Sequence, residues 1–200
     1  MSNLTTSEIM FERWCREHGI PFRRIKVARA QGHKRPDYAI KVNGGWCVVE
    51  VKEIDPTAED DRLYQQIASN RVEGRWVDAG ARLRKPIRDA SDQLRKFSVR
   101  GFPTAVCLVD NTVGFYVEPF QVIQAMCGKA TVRIAVSDDP EYEARFLGMH
   151  HGKKATMTGQ HNTSISAVAV LRQPSGSPHS LISITTASPE CRLLGTAQPC

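Results

Sequence analysis

Asp37, Glu50 and Lys52 are the residues whose types and spacing could do chemistry together. Asp37 opens Tyr38-Ala39-Ile40-Lys41-Val42, where Tyr38, Ile40 and Val42 alternate with Ala39 and Lys41 as in a half-buried strand. Asn43-Gly44 supplies the positive φ angles of a tight hairpin, and Trp46 to Val51 is a β-branched run suited to a buried strand. Folding back at Asn43 to Gly45 brings Asp37, at the start of one strand, beside Glu50 and Lys52 at the end of the next. Glu50 and Lys52 are two apart, so they share a face while Val51 takes the other. Burying two carboxylates costs several kcal/mol each unless a cation neutralises them. Hard oxygen ligands with open positions for water and phosphate describe a Mg²⁺ site, with Mn²⁺ as a substitute, rather than a zinc site. A lysine beside them can orient or help deprotonate a water and offset charge developing on a phosphorane.

Pro36-Asp37 followed by Glu50-Val51-Lys52 resembles the signature of the PD-(D/E)xK nuclease superfamily. The tripeptide alone is weak, since an acid, any residue and a lysine is also the pattern of a solvated strand end. Pro-Asp across a hairpin signal makes it more specific. The resemblance implies an α/β, restriction-endonuclease-like mixed β-sheet flanked by helices, and a Mg²⁺-dependent nuclease. Asp37, Glu50 and the backbone carbonyl of Val51 would hold the metal, and Lys52 would position the attacking water. In-line attack on phosphorus would leave a 5′-phosphate.

The core of such enzymes runs helix, three strands, helix, strand, and the flanking residues can be read in that order. Residues 7 to 18 predict a helix with Thr6 or Ser7 as N-cap, Gly19 as the stop, and Phe11, Trp14 and Cys15 as the buried stripe. At roughly 100° per residue Glu8 falls at the margin of that stripe, whereas Glu12 is expected farther towards water. Similar nucleases often carry a metal-supporting acid on this helix, which Glu8 matches. An acid favoured in any first helical turn is the other reading. Phe22 to Val27 predicts the first strand, leading to the basic loop Arg29 to Arg35. Pro86 is expected to open a second helix through Ser98, with Ile87, Ala90, Leu94 and Phe97 as its apolar face. Thr104 to Val109 is expected to be a buried strand. By the same resemblance Gln93 would touch water or phosphate; otherwise it is a solvated helix residue.

Between the catalytic-looking strand and the second helix lies an insertion, about 53–85. It begins acidic, with a short helix expected over Asp61 to Ser69, and ends basic around Trp76. Arginine beside Trp76 suits phosphate contact and base stacking, although a surface loop with Trp76 tucked onto the core fits equally.

The net charge of +6 suits a polyanionic partner. Arg82, Arg84, Lys85, Arg88, Arg95, Lys96 and Arg100 face only Asp89 and Asp92, and Arg23 to Arg35 forms a second basic cluster; both flank the proposed site. DNA is the expected nucleic acid, and a homodimer is compatible with this reading. No apolar run approaches the ~20 residues of a membrane span, so the expectation is a cytoplasmic protein with no membrane partner. The six cysteines show no paired metal spacing and suit reduced, small hydrophobes.

A single nuclease-like domain is expected over 1–171, with its core about 5–110, followed by a poorly ordered tail over 172–200. Within it, short strands are expected at 114–117, 131–136, 164–171 and 181–184, and helices at 119–127 and 141–147. His150-His151-Gly152-Lys153-Lys154 and His161 suit a mobile basic loop better than a zinc site. Two other function classes fit the same residues. One is a catalytically inactive nuclease-fold module that binds nucleic acid, and the other is an unrelated α/β structural domain.

Overall fold

The computed structural model describes residues 4–25, 35–69, 78–112, 116–136, 138, 141, 143–151, 154–157, 162–173 and 181–186. Among them the order is α1 (Thr6–Glu17), β1 (Phe22–Arg24), β2 (Tyr38–Val42), β3 (Gly45–Ile54), α2 (Ala58–Ala68), α3 (Ala81–Ser98), β4 (Thr104–Asp110), α4 (Pro119–Cys127), β5 (Ala130–Ala135), β6 (Arg145–His151), β7 (Ala167–Arg172) and β8 (Leu181–Thr186). A six-stranded mixed sheet, β1-β2-β3-β4-β7-β8, carries the fold, and β5-β6 form a separate ribbon. β1, β2 and β3 are an antiparallel meander, β4 and β7 continue it in parallel, and β8 closes it antiparallel.

The meander turns where the residues require it. Asn43 and Gly44 adopt φ of 50° and 80°, and the register Val42↔Gly45 to Tyr38↔Val49 is that of a two-residue hairpin. Alternation then sorts the side chains of β3 between two cores. Val49 and Val51 join Phe11, Trp14, Cys15 and Tyr38 beneath α1, while Val48 and Ile54 join Leu83, Ile87, Ala90 and Leu94 beneath α3. Glu50 and Lys52, in step with Val48 and Ile54, therefore face α3.

Several boundaries differ from the expectation. Thr5, not Thr6 or Ser7, caps α1 in a capping box with Glu8, and Ser7 is buried. α3 begins at Ala81 and carries Pro86 in its second turn, so proline does not open it; the one carbonyl deprived of a partner lies near the helix start, where such a loss is tolerated. β3 extends to Ile54 and α3 begins at Ala81, so both ends of the expected insertion are regular structure, and α2 starts within it at Ala58, capped by Thr57. Residues 145–151 form β6, not the end of a helix, and β8 carries the sheet past the boundary expected at 171. Tyr116 and Val117 lie outside any strand, whereas 113–115 fall outside the described residues. The expected basic loop 29–34, Trp76 and 187–200 also lie outside them.

α4 comes close to the N-cap of α3 at Gly80, where an added Cβ would stand 2.6 Å from the Ala125 backbone nitrogen. Backbone cannot yield as a flexible side chain can, so Gly80→Ala is expected to destabilise the fold by about 1–3 kcal/mol. Thermal melting checks this, and an unchanged midpoint would contradict the close approach.

Candidate active site

Asp37 sits one residue before β2, beyond the last pair of the β2–β3 ladder, Tyr38↔Val49. Its Oδ2 takes the place of the next rung by accepting the Val51 N–H at 2.9 Å. The N–H and C=O of one extended residue point to the same edge, so the Val51 carbonyl belongs to the edge occupied by Asp37. On the α3 face, Lys52 Nζ donates to Glu50 Oε1 at 2.6 Å and to Gln93 Oε1 at 2.8 Å. Gln93 Nε2 reaches the Arg35 carbonyl at 3.4 Å, tying the segment before Asp37 to α3. The structure thus brings Asp37, Glu50, Lys52 and Gln93 together from a loop, a strand and a helix.

The electrostatics of this group are uneven. Glu50 is 2% exposed, and its Oε2 is buried without a hydrogen-bond partner. Burial, then the neighbouring Asp37 charge, pushes Glu50 up to about 7, against the lowering effect of Lys52. Burial also raises Asp37, which the Val51 N–H and Lys52 partly counter. The buried Glu50 and the half-buried Asp37 share one ammonium, and Glu50 Oε2 has no hydrogen-bond partner.

Glu8, expected to support the metal shell, lies beside Asp37 with both carboxylate oxygens hydrogen-bonded. Its Oε1 accepts from Arg24 at 2.6 Å and its Oε2 accepts the Thr5 N–H at 2.8 Å, while its charge acts on Asp37 from nearby. Glu8 therefore borders the site with its carboxylate already engaged. Glu12, expected towards water, is 6% exposed: it accepts from Tyr38 Oη at 3.0 Å and from Arg16 at 2.5 Å. Its burial is the correction that matters most on α1, because Tyr38 follows Asp37 directly and Glu12 anchors it. The signal was present in the sequence as a second acid one turn after Glu8, but its tyrosine partner lies on another element.

Among the described residues no three His, Cys, Asp or Glu side chains converge as a ready metal cage. The available donors are the Asp37 and Glu50 carboxylates and the Val51 carbonyl. These hard oxygens fit a Mg²⁺ ion, and the unpartnered Glu50 Oε2 beside Asp37 is the feature that a cation would satisfy. His151 lies on β6 with Nδ1 2.9 Å from the Gly128 carbonyl, and 152, 153 and 161 are outside the described residues. Cys15, Cys47 and Cys107 form no disulfide; burial pushes the Cys15 thiol up to about 12 and that of Cys47 to about 11, which keeps both protonated.

Comparison with protein-family models, with curated proteins and with solved structures finds no match to this chain. The helices of the described residues include none long and apolar enough to cross a membrane.

Two of the seven residues of the basic cluster over 82–100 are engaged elsewhere in the fold, contrary to the expectation that it faces only Asp89 and Asp92, whereas Lys85 pairs with Asp89 and Arg95 with Asp92. Arg82 lies 3.3 Å from Asp60 and donates to the Asp55 carbonyl, and Arg84 donates to Asp78 at 2.8 Å. Arg88, Arg95, Lys96 and Arg100 remain exposed.

Proposed function

We propose that the protein is a Mg²⁺-dependent nuclease of the PD-(D/E)xK kind, hydrolysing phosphodiester bonds in DNA on a restriction-endonuclease-like fold. The observation that carries this reading is the Glu50 carboxylate: buried, with one oxygen unpartnered, its pKa raised to about 7 by burial and then by the Asp37 charge, and gripped by Lys52 against Gln93. With α2 inserted between β3 and α3, the order α1-β1-β2-β3-α3-β4, an antiparallel meander followed by a parallel strand, follows the core order that the sequence resemblance calls for.

Asp37, Glu50 and the Val51 carbonyl would hold the ion, which when bound supplies Lewis-acid polarisation of a phosphoryl oxygen and a more acidic water. Lys52 holds an ammonium at the mouth of the carboxylate pair, where it orients the attacking water and offsets charge gathering on the phosphoryl oxygens. Gln93 fixes Lys52 from α3 and keeps the Arg35 segment in place. Glu8 and Arg24, paired at 2.6 Å, brace α1 against the meander beside Asp37.

The test is purified protein against supercoiled plasmid, linear duplex, single-stranded and branched DNA, with Mg²⁺, Mn²⁺ or chelator. Cleavage that requires the metal supports the reading and names the substrate form. DNA binding without cleavage would favour the inactive binding module, a reading to which the closed Lys52–Glu50–Gln93 network also lends itself.

Exposed Arg88, Arg95 and Lys96 should contact phosphates. Neutralising all three is expected to weaken binding to every sequence and to flatten the slope of log affinity against log salt by about two to three. An unchanged slope would place the DNA track elsewhere.

A further inference from the structure

Arg84 lies on the opposite side of α3 from Gln93: nine residues at roughly 100° each turn the helix through about half a circle. There Asp78 gathers three cations. Its Oδ1 accepts from Arg84 at 2.8 Å, and its Oδ2 lies 3.0 Å from Lys154 Nζ and 3.5 Å from Lys129 Nζ. Arg84 Nε also donates to the Lys154 carbonyl at 3.0 Å. The close approach of α4 at Gly80 builds the cluster, since Lys129 follows the end of α4 and Asp78 precedes Gly80 by two residues. One carboxylate against three cations leaves two positive charges uncompensated in the cluster. The Arg84 side chain is fixed and only 13% exposed, while Lys129 and Lys154 are 47% and 58% exposed. Arg88 and Arg95 continue the same edge of α3.

We propose that Arg84, Lys129 and Lys154 form a second phosphate site that takes the complementary strand, so that the substrate is duplex DNA straddling α3. This rests on the nuclease reading for the Lys52 side alone. A helix with its side chains is about 10–12 Å across. That width matches the major groove of B-form DNA, about 12 Å, so phosphates on the two sides of α3 belong to the two strands bordering one groove. Asp78 holds the cations in place until phosphate oxygens join them, as charge-assisted partners of a fixed arginine and two mobile ammonium groups.

The experiment measures binding of a labelled duplex of about 25 base pairs, and of one of its single strands, in EDTA across a salt series. Wild type is compared with a Lys129→Gln, Lys154→Gln double variant and with Asp78→Asn, and thermal melts check folding. The double variant is expected to lose on the order of tenfold in duplex affinity and about two units of salt slope, with single-strand binding unchanged. Asp78→Asn is expected to bind duplex more tightly, a gain that a merely tethering Asp78 would not produce. An unchanged duplex slope, an equal loss on the single strand, weaker duplex binding by folded Asp78→Asn, or no duplex binding by wild type would each overturn the proposal. Because the measurement needs no turnover, wild type that shows the expected binding but never cuts with Mg²⁺ would sink the nuclease reading and leave the duplex site standing.

Discussion

Glu50→Gln and Asp37→Asn are each expected to abolish metal-dependent cleavage, and Glu50→Gln is expected to leave the metal-free protein more stable than wild type at pH 8. The loss of cleavage follows from removing one of two carboxylates available to a cation. The gain in stability follows from the pKa. Glu50 titrates at about 7 in the fold against 4.5 unfolded, through burial and then the Asp37 charge. A raised folded pKa contributes stability that is fully present below the unfolded value and is lost as pH rises through the folded value. Wild type therefore weakens between about pH 4.5 and 7, and the raised Asp37 acts in the same direction. Glutamine carries no such penalty, so its advantage should appear at pH 8 and vanish near pH 4. Mg²⁺ should raise the melting temperature of wild type and not that of the variant, because only a ligand that binds the folded state stabilises it. Melts at the two pH values in EDTA, repeated with Mg²⁺ at pH 8, check this. A Glu50→Gln protein less stable than wild type at pH 8 would make Glu50 a structural ion-pair partner of Lys52.

Lys52→Met is expected to fold, to bind DNA, and to lose on the order of a hundredfold or more in turnover at saturating Mg²⁺, in line with other positioned electrostatic groups. Methionine keeps the length of the stem and removes the ammonium that now bridges Glu50 and Gln93. If Lys52 only balances the carboxylates, its removal should instead lower stability and raise cation affinity with little change in turnover per bound metal. Single-turnover cleavage, with folding followed by thermal melt, separates the two. A folded, metal-bound Lys52→Met protein cutting at the wild-type rate would remove Lys52 from the mechanism.

The hairpin and the residues it joins were legible because their cause is local. Asn43-Gly44 dictates the turn, the period of two dictates the faces, and Asp37 opposite Glu50 and Lys52 then follows from geometry. α4 was legible to its ends for a similar reason, with Pro119 at its start and Gly128 after its last residue. What escaped depends on partners distant in sequence. Residues 141–147 carry helix formers, yet 145–151 pair with β5 and bulge beside Gly148 at φ 128°, a choice made by the neighbouring strand. Pro86 suggested a helix start, but the turn before it packs Leu83 into the core beneath α3. Glu12 needed Tyr38 to be buried, and Asp78 needed Arg84, Lys129 and Lys154, three residues with no shared local pattern. The candidate site was readable as a pair of strand ends; its orphaned oxygen and its Lys52–Gln93 clamp required the packed helix.

The most direct measurement is relaxation and linearisation of a supercoiled plasmid by wild type and Glu50→Gln side by side, each with Mg²⁺ and with EDTA. The account predicts cutting by wild type with Mg²⁺ alone, and none by the variant under either condition. Cleavage by Glu50→Gln at the wild-type rate, or cleavage by wild type that persists undiminished in EDTA, would contradict a metal-dependent nuclease centred on Asp37 and Glu50.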